Sequence, residues 1–159
     1  MKRRTHQFTA KIAKRDFGRM YYTVLFAPKR LEKELDLKAN PRLRIEGKVG
    51  DIPFSCAFQP NGGDWYLILS KKVLRDGGWK LGDRVTMEFQ IADQDAVDVP
   101  ADLMAELRRR NDVFMSWEAM TPGRRRGLAH RVGCAKREDT RERRILEVID
   151  EIMSESKLP

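Results

Sequence analysis

The sequence predicts an α+β protein in which a small β-barrel of about six strands precedes a C-terminal helical unit of three to four helices. Two observations predict the barrel: apolar and polar residues alternate along most of the first half, and turn residues separate the alternating segments at regular intervals. Beyond the acidic run Asp93–Asp98, apolar residues instead recur at spacings of three and four, which predicts helices. We therefore expect a barrel domain at 1–92, a linker at 93–98, and a helical domain at 99–159 packed on the barrel.

Six segments of the first half have the pattern of β-strands. In a half-buried strand the side chains point alternately to the core and to solvent, so apolar and polar residues alternate. Residues 5–13 follow this pattern, and Tyr21–Phe26 is rich in the aromatic and β-branched residues that strands favour. The other four predicted strands are 43–49, 54–58, 65–69 and 84–91.

Turns and two short helices are predicted between these strands. Lys14–Gly18 is expected to be a turn, and Gln59–Asp64 a hairpin loop, because Gly, Asn, Asp and Pro favour such conformations. Pro28 suits the first turn of a helix that we expect to run from Lys29 to Leu35. Ser70 can cap a second short helix.

The second half contains start signals for its helices. Pro100 begins the first predicted helix, Asn111 caps the second, and Thr121-Pro122 caps and begins the third. Asp139 and Glu142 have the spacing of a capping box, with Asp in place of the usual Ser or Thr, and predict the start of the last helix. The apolar face of that helix consists of Ile145, Val148, Ile149, Ile152 and Met153.

Charge and cysteine content bear on the compartment and the partners. The 159 residues carry a net charge of +8, which permits binding to nucleic acid, anionic lipid or phosphorylated ligands. Met1–Arg4 is basic, but no apolar run follows it, so we expect no export signal and no membrane span. Cys56 and Cys134 lie far apart, which predicts two buried thiols in a reducing compartment. We expect a cytoplasmic protein, and a monomer because one chain holds two barrel-like halves.

A group of hydrogen-bond donors near the start of the last predicted helix is the candidate ligand site. Arg141 lies four residues before Ile145 and therefore points toward the apolar face, with Arg144 beside it. A guanidinium aimed at a packed face needs an acceptor, since an unpaired buried charge is strongly destabilising. The acceptor is either a group of this protein or an external ligand, and both alternatives stay open. In the second, a small anion or phosphorylated ligand binds at the barrel–helix junction through Lys136, Thr140, Arg141 and Arg144.

Two other function classes are alternatives to a non-enzymatic anion-binding protein. Nucleic acid could bind non-specifically along the basic helices, although no recognised motif is present and aromatic residues do not interleave with these basic runs. An enzyme would need a nucleophile–base pair, paired carboxylates or a metal cluster, and we predict no catalytic residue, metal site or cofactor. The basic residues of the nucleic-acid alternative are Arg108, Arg109, Arg110, Arg124, Arg125 and Arg126.

Two sets of residues have the spacing of known family motifs. The first set is Val99–Leu103, Phe114, Ala135, Lys136, Thr140, Arg141, Arg144 and Ile145. This proline-started helix followed by an Ala-Lys…Thr-Arg…Arg block resembles the YdeI/OmpD-associated (OmdA) domain. The second set is Gly50, Pro53, Phe54, Leu81, Gly82, Asp83 and Val85. It resembles the β-barrel family named domain of unknown function 1905.

These resemblances imply a fold and, at most, a stress-related role. The Gly82-Asp83 turn before an alternating strand is similar to that of AbrB-like double-split barrels, so a double-split-type barrel is implied; the DNA binding of AbrB-like proteins is not carried across. The family names refer to bacteriocin protection and to association with a porin, and they imply no mechanism. Arg131 stands where many relatives have an aromatic residue, so a pocket sealed by that ring would be altered here.

Overall fold

The computed structural model describes residues 2–157 and has the predicted α+β architecture. These residues form two compact units, one ending at Gln94 and the other beginning at Asp95. Within the described range, no helix is both long enough and apolar enough to cross a membrane. The eight strands are β1 (Thr5–Lys11), β2 (Ala13–Phe17), β3 (Met20–Phe26), β4 (Arg44–Val49), β5 (Ile52–Ala57), β6 (Gln59–Asn61), β7 (Asp64–Ile68) and β8 (Arg84–Ile91). The six helices are α1 (Lys29–Glu34), α2 (Lys71–Gly77), α3 (Ala101–Arg108), α4 (Asn111–Ala119), α5 (Pro122–Gly133) and α6 (Glu138–Ser156).

The N-terminal unit contains two antiparallel sheets of four strands each. Their strand orders are β1-β8-β4-β5 and β2-β3-β7-β6. The chain passes directly from the first sheet to the second at two points, and a buried residue occupies each point: Ile12 after β1 and Phe58 after β5. No strand ladder joins the two sheets among residues 2–157, so the predicted closure into a barrel is not confirmed.

Two of the eight strands lie where turns or loops are predicted from the sequence. Strand β2 covers most of the predicted turn Lys14–Gly18, and β6 lies in the predicted hairpin loop Gln59–Asp64. Both are edge strands of the second sheet. An edge strand pairs on one side only and commonly carries charged residues or Pro, so its sequence resembles that of a loop.

Strands β4 and β8 approach each other closely at Gly47. A Cβ atom at this position would lie 2.0 Å from the carbonyl oxygen of Glu88 and 2.6 Å from the Cα atom of Phe89. The close approach of β4 and β8 therefore requires glycine at position 47. The apolar core beneath the strands includes Phe8, Leu25, Leu31, Ile45, Phe54, Phe58, Leu67, Met87 and Phe89.

The C-terminal unit consists of four helices around a separate apolar core. Thr121 caps α5 as predicted, since its Oγ1 accepts a hydrogen bond from the backbone N–H of Arg124 at 3.2 Å. The predicted capping box of α6 is wrong: the helix already begins at Glu138, the N-cap residue is Arg137, and Arg137 makes no side-chain cap. The core residues are Leu103, Leu107, Val113, Trp117, Leu128, Ala129, Val132, Ile145, Val148 and Ile152.

Candidate functional site

The guanidinium of Arg141 finds its acceptors inside the C-terminal unit. It donates hydrogen bonds to both carboxylate oxygens of Asp102 in α3, with Nη2 2.9 Å from Oδ1. Its Nη1 also donates to the carbonyl oxygen of Val132 in α5, at 3.2 Å. Because Arg141 itself belongs to α6, one side chain connects three of the four helices. We call Arg141, Asp102 and the Val132 carbonyl the Arg141 clamp.

Both partners of the clamp remain charged. The hydrogen bonds from Arg141 are the main cause that holds the pKa of Asp102 below its usual value, and the same contact raises the pKa of Arg141. The side chain of Arg141 is 28% exposed and that of Asp102 is 42% exposed, so water screens the pair and its contribution to stability is modest. The bidentate geometry matters more than the bare charges, because it fixes the direction of the contact.

Arg144, like Arg141, donates a hydrogen bond to the C-terminal end of α5. Its Nη1 donates to the carbonyl oxygen of Arg131 at 2.9 Å. Arg131 and Val132 lie in the last turn of α5, where carbonyl groups lack their usual partners within the helix. Two arginines of α6 thus supply hydrogen-bond donors and positive charge at the negative end of the α5 dipole.

Lys136 and Thr140, the other two predicted site residues, have no comparable structural contacts. Lys136 is exposed between α5 and α6, and its ammonium group has no hydrogen-bond or ion-pair partner in residues 2–157. Thr140 is half-buried in the first turn of α6, and its backbone N–H donates to Oδ1 of Asp139 at 2.8 Å. The four predicted residues therefore divide into two that bind their own chain and two that remain available.

A groove of about 490 Å³ lies next to the clamp, between α3 and α6. Four carboxylates and two guanidinium groups line it, so its net charge does not favour an anion. Arg141 contributes to this wall, but Asp102 already neutralises it. The lining residues are Asp102, Glu106, Arg109, Glu138, Arg141, Glu142, Ile145 and Leu146.

The first arginine run, Arg108–Arg110, does not form one free basic face. Arg108 is exposed, whereas Arg109 forms an ion pair with Glu106 at 2.9 Å. Arg110 donates to a carboxylate oxygen of Asp112 at 3.1 Å, and its Nη1 lies 3.1 Å from the sulfur of Met153. Most of this charge is balanced within the unit.

The second arginine run, Arg124–Arg126, is also engaged in contacts with its own unit. Arg124 donates to Glu151 and Glu155 of α6, and these hydrogen bonds are the main cause of its raised pKa. Arg126 donates to the carbonyl oxygen of Ala96 at 3.0 Å. Arg125 is half-buried, and its Nε has no partner among the described residues.

Arg131 stands where the resemblance to the OmdA domain implies an aromatic residue. Its Nη1 lies 2.9 Å from Oε2 of Glu151, which forms an ion pair between α5 and α6. Hydrogen bonds from Arg124, and then from Arg131, lower the pKa of Glu151.

The two thiols have different environments. Burial raises the pKa of Cys56, which reduces the thiolate fraction at neutral pH. Cys134 is exposed, contrary to the prediction of two buried thiols, and its Sγ lies 3.1 Å from Nε2 of His130. Cys134 is the C-cap residue of α5.

His6 is the one buried polar or charged residue among the described positions, and its Nδ1 lies 3.0 Å from Oε1 of Glu34. Its ring stacks on Phe89, with centroids 5.3 Å apart, so His6 contributes to the packing of the N-terminal unit. No group of three or more His, Cys, Asp or Glu side chains within residues 2–157 is arranged to hold a metal ion.

The sequence leaves the partner of Arg141 open, and the structure identifies it as Asp102. A usable signal does exist, because both residues belong to the motifs that resemble the OmdA domain. From the sequence, Tyr21 and Tyr22 are predicted only to be strand residues; in the structure both side chains are exposed.

Comparison with known families confirms the resemblances. Residues 8–89 match the family described as Domain of unknown function (DUF1905). Residues 96–154 match the family described as Bacteriocin-protection, YdeI or OmpD-Associated (OmdA). A search of curated proteins and a search of solved structures each returned no significant match.

Proposed function

The chain belongs to the DUF1905 family, with a C-terminal region of the OmdA family, and we propose that it is a non-enzymatic protein that binds a small anion or phosphorylated ligand at the start of α6. The observation that supports the proposal is the uncapped beginning of this helix. At 19 residues α6 is the longest described helix, and its N-cap residue Arg137 makes no side-chain cap. Of its first backbone N–H groups, that of Thr140 already donates to Asp139. An external anion can take that place.

The donors for such an anion come from one short stretch. The backbone N–H groups of Glu138 and Asp139 lie ahead of the first intrahelical hydrogen bond, which Arg141 N–H makes to the carbonyl of Arg137. The ammonium group of Lys136 and the hydroxyl of Thr140 add two side-chain donors. Arg141 and Arg144 are positioning residues in this proposal, because their bonds to α5 hold the start of α6 in place.

Two acidic residues limit the affinity. Glu138 and Asp139 lie in the first turn of α6 and already complement the positive end of its dipole. We therefore expect inorganic phosphate or sulfate alone to bind with a Kd of about 1 mM or weaker. A phosphorylated organic ligand would bind more tightly only through additional contacts.

Backbone amide NMR with inorganic phosphate tests the proposal. Phosphate should shift the amide signals of residues 136–141 in a saturable way, and Lys136→Ala should weaken binding severalfold without lowering Tm. Lys157→Ala removes one positive charge from the opposite end of α6 and is the matched control, which should bind as the wild type does. If the shifts do not saturate, or if both variants lose them equally, the ions act through general screening and the proposal is wrong.

Asp102→Asn separates the positioning role of Arg141 from direct ligand binding. This variant frees the guanidinium from its carboxylate partner but leaves Arg141 in place. We expect a lower Tm and phosphate binding that is unchanged or weaker. Tighter phosphate binding would instead assign the anion to Arg141 itself.

We propose further that the two sheets of the N-terminal unit act as one barrel-like body. The support is the continuity of the chain through Ile12 and Phe58, two buried points at which one extended segment serves both sheets. In packed sheets of this type, strands pass from one sheet to the other at bends. Hydrogen exchange should then show one cooperative opening for both sheets, whereas two separate openings would contradict it.

A further inference from the structure

The hairpin formed by β2 and β3 exposes an unusual number of aromatic side chains. Phe17, Tyr21 and Tyr22 are 45%, 56% and 39% exposed, and Met20 beside them is 62% exposed. Large side chains that remain exposed together mark an interaction surface more often than isolated ones do. They are also absent from the apolar core of the N-terminal unit.

Cations lie against these rings on both faces of the hairpin. Arg15 and Tyr22 are direct cross-strand partners and share one face with Phe17, and the Arg15 guanidinium lies 5.1 Å from the centre of the Phe17 ring. On the opposite face, the Lys14 ammonium lies 4.6 Å from the centre of the Tyr21 ring. The rings of Phe17 and Tyr22 contact each other edge to face, with centroids 5.3 Å apart. We call Lys14, Arg15, Phe17, Arg19, Tyr21 and Tyr22 the hairpin surface.

A cavity of about 580 Å³ extends the hairpin surface toward the start of α2. Tyr21 and Tyr22 line it, together with the exposed cations Arg19 and Lys71. Neither cation has an ion-pair partner in residues 2–157, and Asp16 is the sole carboxylate between Ala13 and Thr23. Lys14 forms an ion pair with Asp16 at 3.3 Å, whereas the charges of Arg19 and Lys71 beside the rings are not neutralised.

We propose that the hairpin surface binds single-stranded nucleic acid. Exposed bases stack on aromatic side chains, and neighbouring Lys and Arg contact the phosphates, without the need for a particular sequence. A duplex offers the phosphates but hides the faces of its bases, so it satisfies only the cations. This site lies in the N-terminal unit, and it shares no residue with the anion site proposed at the start of α6.

The position of β2 supplies a competing explanation. It is an edge strand, and charges such as Lys14 and Arg15 on an edge discourage pairing with a second copy of the chain. That role accounts for the charges but not for the three exposed rings, which would promote association. Binding of single-stranded nucleic acid accounts for both, because bases stack on the rings and phosphates contact the charges.

Fluorescence anisotropy with labelled single-stranded oligonucleotides of about a dozen nucleotides tests the proposal. We expect saturable binding at low salt, weaker binding to the duplex of the same sequence, and a slope of about −2 for the logarithm of affinity against the logarithm of salt if three cations contact phosphates. Tyr21→Ala combined with Tyr22→Ala should weaken binding at least about tenfold. The double Tyr→Phe variant at the same positions keeps the rings and should bind like the wild type.

Matched controls separate this surface from the other basic residues. Arg19→Gln should weaken binding, whereas Arg108→Gln removes another exposed arginine, from α3, and should not. Circular dichroism checks that each variant is folded. The proposal is overturned by any of four results: no binding at low salt, equal or tighter binding of the duplex, loss of binding in Arg108→Gln but not in the tyrosine variant, or binding of anionic vesicles or self-association in place of oligonucleotide binding.

Discussion

Arg141 donates hydrogen bonds to both carboxylate oxygens of Asp102, 39 residues earlier in the chain. Each residue lies in one of the two sequence blocks that resemble the OmdA domain, Val99–Leu103 and Ala135–Ile145. The two blocks therefore contact each other in the fold through these side chains. Arg141 also donates a hydrogen bond to the Val132 carbonyl. Much of the basic character that first suggests a binding site serves to fasten α3, α5 and α6 together.

The first prediction is that the clamp stabilises the protein less at acidic pH. The pKa of Asp102 in the folded protein lies below the value of 3.8 for the free side chain, mainly because Arg141 donates to it. The unfolded chain therefore binds the proton more readily, so the clamp stabilises the protein fully above the unfolded pKa and loses this effect as the pH falls through the folded pKa. The free energy of unfolding of the wild type should exceed that of Asp102→Asn at neutral pH, and this difference should shrink as the pH falls from about 5 to about 2.

Urea unfolding of the two proteins, followed by circular dichroism across this pH range, measures this difference directly. Glu151, whose pKa is lowered by Arg124 and Arg131, titrates in both proteins and cancels in the comparison. A difference in stability that stays constant with pH would show that the Asp102 carboxylate is not specifically stabilised.

The second prediction contrasts two glycines. Gly47→Ala should destabilise the N-terminal unit by about 1–3 kcal/mol or more, because its Cβ would overlap the backbone of β8. Gly127 lies within α5, where a Cβ would meet no atom within 4 Å, so Gly127→Ala should stabilise the C-terminal unit by about 1 kcal/mol. Denaturant unfolding of both variants checks the opposite signs, and destabilisation by Gly127→Ala would contradict the packing around α5.

The third prediction separates the two thiols. With Ellman's reagent and the native protein, the exposed Cys134 should react promptly and Cys56 slowly, because burial both covers the Cys56 thiol and raises its pKa. Cys134→Ser should remove the fast phase and Cys56→Ser should retain it. Persistence of the fast phase in Cys134→Ser would place the reactive thiol at Cys56.

The sequence predicts the regular strands well because their patterns are local. Strand β8 has the predicted bounds, Arg84–Ile91, because Val85, Met87 and Phe89 enter the core from one face. Ile91, which the alternation places on the same face, is exposed at the end of the strand. Strand β2 is mistaken for a turn because its status as a strand depends on pairing with β3 rather than on its own polar residues. Closure of the barrel has no local signal at all, because it depends on which strands meet at the edges of the two sheets.

The candidate site is predictable in composition but not in geometry. The need of Arg141 for an acceptor follows from its place on α6, whereas the choice of Asp102 depends on how α3 packs against α6. The capping box is wrong because α6 starts earlier than Asp139. The exposure of Tyr21 and Tyr22 likewise depends on where the hairpin extends beyond the core.

A double-mutant cycle measures the energetic coupling between Arg141 and Asp102 in the clamp. The free energy of unfolding is measured at neutral pH for the wild type, Asp102→Asn, Arg141→Gln and the double variant. We predict that each single change lowers Tm by a few degrees, and that the double variant loses clearly less than the sum of the two because both remove one contact. Strictly additive losses, or no loss in either single variant, would contradict the assignment of Arg141 and Asp102 as the clamp that joins the helices.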